Sequence, residues 1–402
     1  MTDRWDAIVV GAGPAGAATA LLLSRAGARV LLLDRARFPR HKPCSEYLSP
    51  ATTAILGRLD GVLGAVERAP HAKVYGMKVV APSGAVMCGR LAGAYSFALS
   101  RATFDTILLR AAARAGAVVR EGTRVQDLLW DGRAVAGVVA RGGGDGKRET
   151  WRARVVVGAD GLRSVVARRL GLLRASAPRR VAFTAHVAHV AGVDGVGELH
   201  VGDTGYVGLG PVGEGVTTVA LVVPLRLVRA GATDYRAGLF AQLERFPGLA
   251  GRFDPRQLVR GVLATGPFAQ WAERPCVAGA LLVGDAADFF DPFTGQGIYA
   301  ALRGAELAAA ALLPALAAGN GSGSLSHAAL APYAAARRRE FRSKWLFERL
   351  IAVGIGWPAL TNRVVRRLAV RPDLADLVVG AAGNIVPAAR VLAPSVLAQL
   401  VS

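Results

Sequence analysis

The stretch Asp6 to Asp34, DAIVVGAGPAGAATALLLSRAGARVLLLD, constrains the fold more than any other part of the chain. Ala7 to Val10 is a short apolar run of the kind buried in a parallel sheet, and Gly11, Gly13 and Gly16 follow it in G-x-G-x-x-G spacing. An apolar helix opens at Pro14 and Ala15 and ends near Gly27, and a second strand, Arg29 to Leu33, delivers Asp34. This order is that of a βαβ unit that holds a dinucleotide. Gly11 permits the tight turn, Gly13 lets the backbone approach a pyrophosphate, Gly16 lets helix and strand pack closely, and the helix start offers N–H groups to the phosphates. Asp34 is placed to accept ribose hydroxyls. Ala7 to Ser24 also runs eighteen residues without a charge, as a membrane span would, but three glycines and a proline inside it argue against that alternative.

A length of 402 residues suggests two or three domains with ample core. The 52% hydrophobic content is high, yet alanine and glycine carry much of it, and the other apolar windows, Leu350 to Thr361 and Leu377 to Ala389, are too short to span a bilayer. The opening MTDRWD lacks the basic segment and apolar core of a secretory signal. Cys44, Cys88 and Cys276 are far apart and without metal-ligand spacing, so no metal and a cytoplasmic setting are expected. The net charge of +20 comes mainly from arginine, since only five of the 49 basic residues are lysine. Such a surface attracts acidic lipids and phosphorylated cofactors. With 6% aromatic residues and no recognisable module, nucleic acid is not an expected partner.

Arg35 follows the ribose acid and can lie along an adenine, and RARFPRHKPCSEYLSP, residues 35–50, is a loop leading into a helix from Pro50 to Leu63. Residues 73–100 alternate in strand fashion around a Pro-Ser-Gly turn, a hairpin of a second, mostly antiparallel sheet. A helix from Ala102 to Ala115 follows Ser100-Arg101, with a strand, Val118 to Glu121, after it, and Leu128 to Arg152 reads as two strands around a charged loop, Gly142 to Lys147. A buried strand, Val155 to Val157, leads to Gly158-Ala159-Asp160-Gly161, and residues 180–265 are strand-rich. His186, His189 and His200 complete no ligand spacing with Asp194 or Glu198, and strand alternation puts His186 and His189 on opposite faces. Residues 280–312 hold an apolar strand, Gly284-Asp285, a loop, and Pro292-Phe293-Thr294-Gly295-Gln296-Gly297-Ile298 opening an alanine-rich helix.

Over residues 5–340 the chain resembles the flavoprotein group that contains geranylgeranyl reductases, flavin-dependent halogenases and para-hydroxybenzoate-hydroxylase-type monooxygenases. Lys42-Pro43-Cys44-Ser45 resembles the segment by which the reductases bring a cysteine to the flavin, with Ser45 where glycine is usual. The resemblance implies FAD, bound by Gly11, Gly13, Pro14, Ala15, Gly16, Asp34 and Arg35. It implies that Arg101 faces the flavin and its ribityl chain, that Val125 touches adenine through its backbone, and that Asp160 organises the loop beside the riboflavin part. Gly284 and Asp285 would meet the ribityl hydroxyls. The helix start at Gly295, Gln296, Gly297 and Ile298 would point N–H groups at the flavin pyrimidine, with Pro292 and Phe293 as a wall over the ring.

The fold class implied is α/β: a Rossmann-type FAD-binding domain (residues 1–70, 96–175 and 272–335) interleaved with a β-sheet substrate domain (71–95 and 176–271), plus a C-terminal helical segment (336–402). The activity implied is that of an FAD-dependent oxidoreductase with NAD(P)H as reductant. Monooxygenation of an apolar polyketide- or alkylphenol-like metabolite, with O₂, is favoured, and reduction of a lipid or isoprenoid C=C bond, with Cys44 as proton donor, stands close behind. Halogenation ranks third: Gly205 to Pro211 lacks the tryptophans of that branch, although Lys73 or Lys78 occupies the region of its lysine. His41 and Cys44 are the residues at which a flavin could be attached. The tail, with Arg337, Arg338, Arg339 and Arg342 beside an apolar stripe, either packs on the flavin domain or makes a peripheral membrane contact.

Overall fold

The computed structural model describes residues 4–142, 146–228, 234–246, 248–318 and 323–401. The first βαβ unit forms as read: β1 (Trp5–Val10) pairs in parallel with β2 (Val30–Leu33), Ala7 opposite Val30 and Val10 opposite Leu33, with α1 (Pro14–Arg25) crossing between them. Ten of the twelve residues of α1 are buried, which is why the segment carries no charge without being a membrane span.

Along the chain follow β3 (Gly76–Val80), β4 (Val86–Arg90), α2 (Arg101–Arg114), β5 (Val118–Arg120), β6 (Arg124–Asp131), β7 (Ala134–Arg141) and β8 (Arg148–Gly158). Then come β9 (Arg180–Ala188), β10 (Gly197–Gly202), β11 (Gly205–Gly213), β12 (Val216–Pro224), β13 (Leu258–Thr265), β14 (Cys276–Val277) and β15 (Ala280–Leu282). One sheet runs β14-β15-β8-β1-β2-β5, with the β6–β7 hairpin paired onto β8. Its central strands are parallel and buried on both faces. The second sheet runs β13-β9-β12-β11-β10-β3-β4 and is antiparallel except where β3 meets β10.

The long helices that follow are α3 (Gly297–Ala318), α4 (His327–Gly354), α5 (Pro358–Ala369) and α6 (Pro372–Ala382). Among the described residues α3 alone is long and apolar enough to cross a membrane, and it buries Ile298, Leu302, Ala305 and Leu312 in a core shared with α1.

Several boundaries differ from the sequence reading. The single helix expected from Pro50 to Leu63 is two, Pro50–Gly57 and Val62–Arg68, split at Gly61. Residues 73–100 divide: β3 and β4 make the expected hairpin, while Ser96–Ala98 leaves it to pair with Tyr47–Leu48 and Ala72–Val74 in a small separate sheet. Three residues of the charged loop between Gly142 and Lys147, 143–145, lie outside the described ones. His189 stands beyond the end of β9 at φ 53°, so strand alternation does not reach it. Finally, α4 runs unbroken through the expected domain boundary at 335/336. The C-terminal helices pack on the second sheet, where the Arg90 N–H donates to Asp376 Oδ1 at 2.7 Å and the Ser83 N–H donates to Asn362 Oδ1 at 2.9 Å.

Candidate active site

A large cavity, walled mostly by apolar side chains, lies where the loops after β1, β8 and β15 face the second sheet, and α4 and α6 close its far side. Of the residues singled out in the sequence, Gly13, Pro14, Ala15, Cys44 and Arg101 line it. So do Asp285, Pro292, Phe293, Gly295, Gly297 and Ile298.

The glycine turn works by contact. Gly11 sits at φ 97°, a region that favours glycine, and a Cβ on Gly16 would collide with the Gly11 carbonyl oxygen. Gly13 is different: within 4 Å of a Cβ there stand only guanidinium nitrogens of Arg40 and Arg101, both at 3.8 Å. Asp105, fully buried on α2, fixes those two arginines. Arg101 Nε and Nη2 donate to its two oxygens at 2.7 Å each, and Arg40 Nη1 donates at 2.8 Å. Burial opposes the charge of Arg101, but Asp105 outweighs it and holds the guanidinium protonated.

Gly11, Gly16, Asp34, Arg35, Val125, Asp160, Gly284 and Gln296 do not line the cavity. Asp34 ends β2 with its carboxylate already accepting the N–H groups of Ala12 (2.7 Å) and Ala36 (2.8 Å), and Arg35 beside it is exposed. Val125 is buried on β6 opposite Ala140, and Gly284 follows β15. Asp160 accepts the Ser164 hydroxyl and the Val165 N–H, both at 2.6 Å, and so starts the helix Val165–Arg169; burial pushes its pKa up against those bonds. The Gln296 side-chain amide donates to the carbonyls of Ala381 (3.0 Å) and Ala382 (2.9 Å), tying the start of α3 to α6.

Asp285 faces the cavity with no protein hydrogen bond to its carboxylate among those described; burial raises its pKa while Lys42 and Arg101 pull it down. The loop bearing Pro292 and Phe293 is held by Asp291. Tyr206 Oη donates to Asp291 Oδ1 at 2.5 Å and Arg180 Nη1 donates to Oδ2 at 2.7 Å, while Arg180 Nη2 reaches the Ala352 carbonyl of α4. Burial first, and then the Asp291 charge, hold the Tyr206 phenol protonated as a donor, and the Phe293 ring meets Tyr206 edge-on at 5.0 Å.

Cys44 lies in the cavity wall with its Sγ accepting the Glu46 N–H at 3.3 Å, and the Arg101 guanidinium is near enough for the two charges to interact. Glu46 was not singled out by sequence, yet it is 1% exposed and sits at φ 61°. Its Oε1 accepts the Arg101 N–H (2.9 Å) and its Oε2 pairs with His186 Nε2 (2.6 Å). His41 stands edge-on to His186 at 6.1 Å.

Neither lysine considered for halogenation lines the cavity. Lys73 is exposed over the Tyr95 ring at 4.4 Å, and Lys78 pairs with Glu198 at 2.9 Å. The cavity's lysines are Lys42, its charge disfavoured by burial and by Arg101, and Lys344, which donates to Glu348 Oε1 at 2.6 Å. Arg40, Glu46, Lys344 and Glu348 escaped the sequence reading; the basic run from Arg35 to Lys42 was the one visible signal.

The chain is 30% identical over 335 residues to a digeranylgeranylglycerophospholipid reductase of Methanosarcina acetivorans, covering 80% of this chain and 78% of that one. It is 31% identical over 327 residues to a menaquinone reductase of Mycolicibacterium smegmatis, covering 77% and 76%. A geranylgeranyl bacteriochlorophyll reductase-like protein of Thermoplasma acidophilum superposes with a TM-score of 0.81 at 22% identity, covering 100% of this chain and 99% of that one, a likeness of fold. The model of the FAD binding domain matches residues 4–342, and the chain belongs to that family as an FAD-dependent oxidoreductase.

Proposed function

We propose that this protein reduces a C=C bond of an apolar, isoprenoid-like substrate, with NAD(P)H as the source of electrons. The observation that carries the reading is the setting of Cys44, a thiol in a mostly apolar wall with a backbone donor at its sulfur and the Arg101 charge nearby. The reductases among its relatives support it.

The residues fit FAD. Gly13 leaves a cradle between two fixed guanidiniums where a pyrophosphate would sit, α1 opens there without a side-chain cap, and Asp285, whose carboxylate accepts no hydrogen bond among the described residues, faces the cavity where the ribityl hydroxyls would lie. Bound and reduced, FAD supplies a hydride. The chain's own residues do the rest. The apolar wall takes the substrate and excludes water. The Cys44 thiol gives its proton to the second alkene carbon, so that hydride and proton together saturate the bond, and the Glu46 N–H and the Arg101 charge stand beside the sulfur that gave it up. Glu46 keeps the thiol loop docked on α2 and β9.

The apolar, water-excluding wall also suits monooxygenation, the second reading. Single-turnover reaction of the reduced holoenzyme with a polyprenyl substrate separates the two. Anaerobic flavin reoxidation with a saturated product is expected, and Cys44→Ala should slow it by about 10²-fold or more, the range of a lost general acid. Strict dependence on O₂ with ¹⁸O in the product would sink the reductase assignment.

We further infer that the face of α4 turned away from the cavity meets an anionic lipid surface. Leu346, Leu350, Val353 and, beyond the helix, Trp357 are exposed along it, with exposed Arg338, Arg339, Arg342 and Arg349 around them. Arg337, grouped with these by sequence, is not part of the patch: it is 2% exposed and paired with Asp288.

A further inference from the structure

We propose that Lys344 and Glu348 hold a hydroxyl group of the substrate, at the end of the cavity closed by α4 and α6; the inference rests on the reading that this cavity takes an isoprenoid-like ligand. On that side the lining is apolar, with Phe347, Ile351, Val378 and Val379 in it, and Lys344 and Glu348 are the charged residues that interrupt it. Each of the two side chains keeps 10% of its surface open, so a ligand in the cavity can reach both. They stand one turn apart on α4, which brings their heads together.

The protein satisfies this pair only in part. Glu348 Oε1 accepts both Lys344 Nζ (2.6 Å) and Thr294 Oγ1 (3.3 Å), which ties the carboxyl to the loop before α3. Among the described residues no group donates to Glu348 Oε2. An ammonium carries three N–H groups. Lys344 gives one to Glu348, and the Phe341 ring stands 5.9 Å from its nitrogen. A donor and an acceptor therefore sit side by side on an apolar wall. A buried ion pair adds little stability over apolar side chains of the same size, so packing does not account for this one.

A hydroxyl answers both heads at once, accepting from Lys344 and donating to Glu348 Oε2. Burial raises the Glu348 pKa and the Lys344 charge lowers it, with Asp288 adding to the rise. A hydroxyl meets the protonated carboxyl as well, because its oxygen also accepts. An ether or carbonyl oxygen only accepts, and leaves Oε2 of the carboxylate unmet. A phosphate brings negative charge to a place where the positive charges are already matched, Lys344 by Glu348 and Arg337 by Asp288.

The test is binding of farnesol, farnesyl methyl ether and farnesyl monophosphate to the FAD-loaded protein, read from the flavin spectrum without turnover. Farnesol should bind about 10-fold or more tighter than its methyl ether, the worth of one hydrogen bond to a charged group, and the phosphate should bind no tighter than farnesol. In the double variant Lys344→Met/Glu348→Met, which strands no charge, the preference for farnesol over the ether should fall below about 2-fold. FAD content and circular dichroism confirm that the variant is folded, and the order of the three ligands on the parent protein carries the test should it fail to fold. Equal binding of farnesol and its ether, tighter binding of the phosphate, or a preference that survives in the folded double variant would overturn the proposal while leaving the isoprenoid reading intact. Failure of all three to bind would remove that reading and the hydroxyl site with it.

Discussion

At residue scale, two neighbouring glycines do different work, and mutation separates them. A Cβ at Gly16 strikes the Gly11 carbonyl oxygen, part of the turn itself, so Gly16→Ala must distort the fold. A Cβ at Gly13 meets nothing closer than 3.8 Å and only trespasses on the space between Arg40 and Arg101. Gly16→Ala is therefore expected to lower the melting temperature of the FAD-free protein, at an overpacking cost of about 1–3 kcal/mol, and to lose FAD. Gly13→Val should melt like the parent and still lose FAD. Calorimetry with flavin absorbance checks both, and a destabilised FAD-free Gly13→Val or a fully loaded Gly16→Ala would show the turn misread. The tasks of these glycines were legible because they are local: spacing alone sets which residue turns, approaches or packs. The setting of Cys44 was not, because Glu46 meets His186 across 140 positions and no periodicity reports such a pairing.

At the scale of elements, periodicity was legible and the partner of each face was not. Alternation marked β3 and β4, residues 180–265 read as strand-rich, and apolar runs marked β1, β2 and β15, but nothing local showed Ser96–Ala98 leaving its hairpin for a separate small sheet. In α4 the basic face and the apolar stripe were both visible; that Arg337, Lys344 and Glu348 turn inward to form buried ion pairs was not. This sorting leaves one helix with two working faces. Phe347, Glu348 and Ile351 wall the cavity, while Leu346, Leu350 and Val353 stand 51%, 47% and 48% exposed on the other side. A patch of that kind flanked by arginine should bring the protein down with phosphatidylserine vesicles at low salt, release it at high salt, and leave it in solution with neutral phosphatidylcholine vesicles. Replacing Leu346, Leu350 and Val353 together by Ser should abolish the binding with FAD content unchanged. No sedimentation of the parent with anionic vesicles would leave this face a plain solvent surface.

At the scale of the whole molecule, one cavity joins three bodies. The parallel sheet supplies the glycine turn and Asp285, the second sheet supplies Thr184 and Tyr206, and the C-terminal helices supply Lys344, Glu348 and Val379. The links between them are polar and buried. Asp291 is held from the second sheet by Arg180, which also grips α4, and Gln296 fastens the start of α3 to α6. A ligand lodged against the start of α3 is therefore expected to steady residues far from it in sequence. Saturation at 100-fold over the dissociation constant stabilises a folded protein by about 2.7 kcal/mol, and that free energy is shared wherever local opening breaks the ligand's contacts. Adding FAD to the apoprotein should slow amide exchange in α1 and at the start of α3, and also in α6 and the second half of α4. In Gln296→Ala, protection of α1 should persist while that of α6 is lost. Protection confined to α1 and α3 in the parent protein would mean that the C-terminal helices merely rest on the cavity, and that substrate entry past them needs no change in how FAD is held.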